Sequence, residues 1–150
     1  MPPRRTAPRH RPRSIGVLTW LRLVRVHQKV ERTAMEHLRQ WSVSVPQFDI
    51  LAHVGAAEGI TQQELTVARL TTKGNLSQLL DHMERDGIVR RERDGHVKRV
   101  WLTDAGHQLF EEVVPDHEAV ITAQFSALEP ADQDQLLRLL RTLDHALRPE

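Results

Sequence analysis

The segment Thr71-Thr72-Lys73-Gly74-Asn75-Leu76-Ser77-Gln78 gathers short hydrogen-bonding side chains at the head of a helical pattern. Leu76, Leu79, Leu80 and Met83 recur at helical spacing and mark the inward side of that helix. Thr72, Lys73, Asn75, Ser77 and Gln78 fall on the outward, N-terminal side. Their hydroxyls and amides are donors and acceptors of the kind that reach base edges, and the lysine is a cation for phosphate. Gly74 lets a backbone come close, and the helix N-terminus adds partial positive charge. A second group of cations follows. Arg90, Arg91, Arg93, His96, Lys98 and Arg99 lie on or beside two β-prone runs, 88–93 and 97–102, that flank Asp94-Gly95. Asp-Gly between such runs predicts a tight hairpin. Cations on a narrow two-stranded projection suit the negative potential of a DNA minor groove. A polar helix face alone is an ordinary surface, and a charged hairpin alone is a protected edge. Side by side in this order, they point to nucleic acid.

The surrounding elements are the ones needed to hold such a pair. Thr61-Gln-Gln-Glu64 is a capping box that opens a short helix carrying Leu65, Ala68 and Leu70. Thr61 and Gln62, at its head, join the candidate DNA contacts. Short helix, polar break and second helix make a helix-turn-helix, and the hairpin makes it winged. Upstream, Ser44-Val-Pro-Gln47 caps a helix with Phe48, Leu51, Ala52 and Val54, expected to stop at Gly59. Before it a long helix runs from Ser14 to about Trp41, apolar over a broad face. Downstream, Thr103-Asp-Ala-Gly opens another long helix, which Pro115 is expected to bend. A last helix from Pro130 carries Leu136, Leu140, Leu143 and Leu147 at a/d spacing. With Val17, Leu21 and Val24 of the first helix, these leucines offer more apolar surface than a monomer of this size exposes, so a homodimer across them is expected. The fold class is α+β and mostly helical: a winged helix-turn-helix with long N- and C-terminal dimerisation helices. Residues 1–13, rich in Arg and Pro, form a basic flexible arm. Residues 14–43 and 104–150 form the helical dimerisation region, and 44–103 the DNA-binding lobe.

Composition removes several other classes. The 150 residues carry a net charge of +1, but unevenly: residues 1–14 hold five Arg and no acid, and residues 102–150 hold three cations against ten acids. A basic front and an acidic back suit a molecule that turns one face to a polyanion. Cysteine is absent, which excludes disulfides, thiolate metal sites and thiol redox sensing. No apolar run is long enough to span a membrane, and the N-terminus lacks the apolar stretch of a secretory signal; the expected location is the cytoplasm. No G-x-S-x-G, H-E-x-x-H, P-loop or nucleotide-binding glycine fingerprint occurs, so neither an enzyme nor a cofactor is expected. Among nine histidines, His37, His53, His107 and His117 are the candidates for a metal. None pairs at H-x-x-x-H spacing, and no metal site is expected.

The stretches PQFDILAHV, TQQEL, TTKGNLSQLLDHMERDGIVRRER and VWLTDAG together resemble the multiple-antibiotic-resistance regulator (MarR) family of bacterial winged-helix repressors. The long first helix and the leucine-rich last one extend the likeness to nearly the whole chain from Ile15. The resemblance implies an obligate homodimer with interleaved first and last helices, a palindromic double-stranded DNA operator, and repression relieved by a small molecule. It also implies a crevice for a small aromatic acid between the dimer helices and the lobe, for which Trp20, His27, Trp41, Asp49 and His53 are the candidates. The wing, turning at Arg93-Asp94-Gly95-His96, is shorter than the family's usual one, and Arg93, Lys98 or Arg99 could enter the minor groove. Strand alternation puts Arg91 and Arg93 on one face and Arg90 and Glu92 on the other, which makes the first the expected DNA face. The competing reading is a winged-helix protein-interaction module without DNA binding.

Overall fold

The computed structural model describes residues 14–69 and 71–148. The basic arm expected over 1–13 lies outside the described residues, as does Leu70. Six helices surround a small antiparallel sheet: α1 Ile15–Leu38, α2 Val45–Ala56, β1 Ile60–Thr61, α3 Gln62–Ala68, α4 Lys73–Arg85, β2 Val89–Asp94, β3 Val97–Leu102, α5 Asp104–Phe125 and α6 Pro130–Ala146. The sheet order is β1-β3-β2. This is a winged helix flanked by long helices, as the residue pattern predicts.

Local chemistry explains where the helices begin. Ser44, Thr61, Thr72 and Thr103 each accept a hydrogen bond from the backbone N–H three residues on. Ser44–Gln47 and Thr61–Glu64 form complete capping boxes. Helix α4 ends in a Schellman arrangement: Gly87 N–H donates to Glu84 O at 3.0 Å and Ile88 N–H to Met83 O at 2.9 Å. That closure turns the chain directly into β2. Ile50, Leu51 and Val54 of α2 meet Leu65, Leu76, Leu80 and Met83 of the helix-turn-helix and Val89, Val100 and Leu102 of the sheet in one core. Gly106 of α5 rests on the Ile88 carbonyl, and a Cβ there would lie 2.1 Å from that oxygen.

Several boundaries differ from the sequence expectation. Helix α1 ends at Leu38 and gives way to a 3₁₀ turn over Arg39–Trp41. Helix α2 stops at Ala56 rather than Gly59, because Gly59 N–H is taken by Val100 O and leads into β1, a strand too short to show any alternation. The polar break is only Thr71–Thr72; Lys73, Gly74 and Asn75 already form the first turn of α4. Helix α5 continues unbroken past Pro115. The hairpin turns at Gly95-His96 rather than Asp94-Gly95, with Asp94 still paired to Val97. Gly95 alone takes positive φ, +61°, which fits a turn with glycine in its first central position. The shift moves the register by two residues, so each side chain keeps its face. It sets Glu92 opposite Arg99, an attractive cross-strand pair.

Candidate nucleic-acid interface

Helix α4 presents its N-terminal half outward because Leu76, Leu80 and Met83 are drawn into the core. Lys73, Gly74, Asn75 and Gln78 are exposed and Ser77 half-buried at the edge. Space around Gly74 is open: a Cβ there would meet nothing within 4 Å. Thr72 Oγ1 accepts from Asn75 N–H, which leaves its own proton free to donate outward. Between this helix end and the wing lies a cleft of about 440 Å³, bordered by Gln62, Lys73, Ser77, Arg93, His96 and Lys98. Six residues picked from the sequence thus face one space. Gln63, a seventh polar neighbour, was missed, although its place beside Gln62 on the exposed side of α3 was a usable signal. Thr61 borders the cleft too, but its hydroxyl is spent within the chain: it donates to Glu64 Oε2 at 2.9 Å and accepts from Glu64 N–H. The Thr61 backbone N–H, which donates to Glu64 Oε2 at 2.8 Å, and then the Thr61 hydroxyl hold the Glu64 carboxyl below the usual carboxylate range, with Arg99 contributing least.

The wing sorts its cations by face. Val89, Arg91 and Arg93 share a face with Lys98, Val100 and Leu102; its inner end is core and its outer end cationic. Arg91 occupies the middle and is not free. Its guanidinium pairs with Asp81 and, at 3.1 Å, with Glu84, both on α4, and its side chain is 16% exposed. The contact with Arg91 holds the Asp81 carboxyl below its usual range. Arg91 therefore braces the wing against α4. Arg99 is on the opposite face, where Nη1 donates to Gly59 O at 2.9 Å and Nε to Asp94 Oδ2 at 3.3 Å. There it ties the wing to β1, beside Arg90, which lies over Trp101 at 5.2 Å and pairs with Glu92. Arg93, His96 and Lys98 are the wing's polar side chains at the cleft.

Comparison with known proteins fits this geometry. The MarR family profile matches residues 41–100. An HTH-type transcriptional regulator of Bacillus cereus is 29% identical over 135 residues, covering 90% of this chain and 92% of that protein. The chain resembles the MarR family over residues 41–100. It is a winged-helix, DNA-binding transcriptional regulator. Among solved structures, AbsC, a MarR family regulator from Streptomyces coelicolor, superposes with TM-score 0.85 at 24% identity over 94% of this chain and 100% of its own. Sco3205 from the same organism, solved in complex with DNA, gives 0.82 at 23% identity over 89% and 92%. These two likenesses concern the fold.

The ligand candidates of this chain scatter. A cavity of about 550 Å³ between α1, α2 and α5 is lined by His27 and Asp49, together with Glu31, Phe48, His117 and Glu118, which the sequence reading did not select. Trp20 is elsewhere, exposed on α1. Trp41 borders a different pocket, and its ring lies 5.1 Å from that of His37. His53 Nδ1–H donates to Asp49 O at 2.7 Å and does not line the cavity. Asp49 also reaches Arg69 at the end of α3, 3.5 Å away, and so touches both the cavity wall and the helix-turn-helix. Of the four histidines weighed for metal, His107 pairs with Glu58 at 2.6 Å, while His37 and His117 meet at 3.0 Å. Among the described residues, no three His, Asp or Glu side chains stand so as to hold a metal ion. No helix of the described residues is long and apolar enough to cross a membrane.

Proposed function

We propose that this regulator acts as a homodimeric repressor on a palindromic DNA site and is released by a small molecule held between α1, α2 and α5. The observation that carries the DNA reading is the cleft itself: Lys73 and Ser77 at the head of α4 face Arg93, His96 and Lys98 of the wing across one space. In this reading α4 enters the major groove, Asn75 and Gln78 read base edges, and the wing cations enter the adjacent minor groove. The lobe is residues 44–103, and 14–43 with 104–150 form the dimerisation region. That second part rests on exposed apolar side chains. Leu21 of α1 is 52% exposed and Leu143 of α6 44%, and α6 buries no residue against its own chain. Leu18, Leu23, Val26, Leu136 and Leu140 border an open apolar groove of about 790 Å³ that a second copy would fill. In this reading it has no catalytic role and acts in the cytoplasm. Selection of bound duplexes from a random pool, followed by anisotropy titration and light scattering, tests the reading. The expected result is a two-fold symmetric consensus bound by a dimer. Equal affinity for all duplexes, or a monomer at micromolar concentration, would overturn it.

A further inference from the structure

Carboxylates predominate among the polar groups around the α1–α2–α5 cavity, with His27, His117 and Thr122 beside them. Glu31, Asp49 and Glu118 bring three carboxylates to its lining, and neither Lys nor Arg lines it. Arg69, behind Asp49, offsets one of these charges. His117 is the buried member, 3% exposed, and its ring lies 4.3 Å from that of Phe48, a second lining residue. His37 Nε2 lies 3.2 Å from Asp116 Oδ2, and a carboxylate only accepts, so His37 Nε2 donates there. His37 Nδ1 lies 3.0 Å from His117 Nδ1, so one of the two rings donates to the other. Burial, then the nearby His37, push the His117 pKa down and keep the ring neutral. His117 Nε2 has no hydrogen-bond partner among the described residues, and His117 lines the cavity. The walls between these groups are apolar, chiefly Val30, Phe48 and Ile121.

We propose that this cavity selects an organic cation, a protonated amine on an apolar body, whose N–H groups face Glu31, Asp49 and Glu118. The proposal rests on reading the cavity as the effector site and names the ligand class. An anionic aromatic acid would meet three carboxylates, with neither Lys nor Arg in the lining to receive it. A bare metal ion would need the acceptors gathered within bonding distance, and no such group of three exists among the described residues. The cavity's volume suits a one- or two-ring compound. Asp49 gives such a ligand a route to the reading head. A cation at Asp49 competes with Arg69, whose Nε is already buried without a partner at the end of α3.

The test uses three compounds with the same ring: 1-naphthylmethylammonium, 1-naphthylmethanol and 1-naphthoate, with zinc chloride as a fourth arm. Each is titrated calorimetrically into the full-length protein. The ammonium is expected to bind about ten-fold or more tighter than the naphthoate. Glu118→Gln and Glu31→Gln, both at the cavity rim and checked for unchanged melting, should each reduce that preference. Thr122→Trp, which fills the cavity mouth, should abolish binding. Naphthoate binding more tightly than the ammonium, and lost in Thr122→Trp, would overturn the cation class while leaving the effector cavity standing. Binding by zinc alone would overturn it in favour of a metal. Binding of none of the four, or binding unchanged by Thr122→Trp, would overturn both the cation class and the effector reading.

Discussion

Removing Arg93 and Lys98 together should change how operator affinity responds to salt far more than it changes stability. These residues stand opposite each other near the wing tip, on the face turned toward α4, and neither forms a salt bridge within the described residues. Each phosphate neutralised adds about 0.9 to the slope of log affinity against log salt. A two-fold dimer presents each position twice, so Arg93→Ala should lower the slope by about 1.8, and Arg93→Ala with Lys98→Ala by about 3.6. Between about 50 and 200 mM salt the parent should then lose roughly 150-fold more affinity than the double variant. Arg99→Ala supplies the contrast. It breaks the ties to Gly59 O and Asp94, so it should lower the melting temperature while the slope falls by less than about one contact's worth per protomer. Anisotropy titrations of a labelled operator at four or five salt concentrations read the slope, and a thermal melt reads stability. A double variant with the parent's slope would mean that the wing does not reach DNA. An Arg99→Ala variant that reproduced the full slope loss would mean that the faces have been assigned the wrong way round.

Other sites give shorter tests. Asn75→Ala or Gln78→Ala should cost about 1–3 kcal/mol on the operator with little effect on random duplex; equal losses on both would place these side chains on phosphate. Gly106→Ala puts a Cβ 2.1 Å from a backbone oxygen, so the urea midpoint should fall by an amount worth about 1–3 kcal/mol, and an unchanged midpoint would contradict the close approach. His117 has a native pKa below its unfolded value near 6.5, so the unfolded chain binds more protons and stability should drop as pH falls below about 6.5 toward the lowered native value; His117→Phe should flatten that part of the pH profile, and a parent profile flat below 6.5 would refute the burial argument. Leu140→Glu and Leu143→Glu, both on the exposed face of α6, should yield monomers in light scattering, and a persisting dimer would place the interface elsewhere.

What could be read in the sequence was what neighbouring residues decide. The capping boxes at Ser44 and Thr61 announce α2 and α3 because both partners lie within one turn. The spacing of Leu76, Leu80 and Met83 sets which side of α4 faces out, and with it the exposure of Lys73, Asn75 and Gln78. The hairpin was legible as a hairpin, but its turn was not placed correctly. Asp94-Gly95 is the stronger local signal, yet the register is settled by Val89, Val100 and Leu102 reaching the core and by Glu92 meeting Arg99. Because the shift moved pairs by two residues, the assignment of faces survived the error.

What could not be read depends on contacts made across the chain. Counting cations on the wing treats six side chains alike, and only their partners separate them. Arg91 is claimed by Asp81 and Glu84 from α4, and Arg99 by Gly59 from the segment before β1, forty residues away. The same holds for the cavity. His37 and His117 are eighty residues apart and meet only because α1 packs on α5. Asp49, early in α2, read as an ordinary acid near a helix start, and its Arg69 partner lies twenty residues on. The aromatic residues chosen for ligand contact do not line this cavity, for the opposite reason. Trp20 and Trp41 are large and conspicuous in sequence, but one sits on the exposed side of α1 and the other past its end. Size marks a residue as able to bury area, and the packing of α1 on α5 decides whether it meets a ligand, the core or a second copy of the chain.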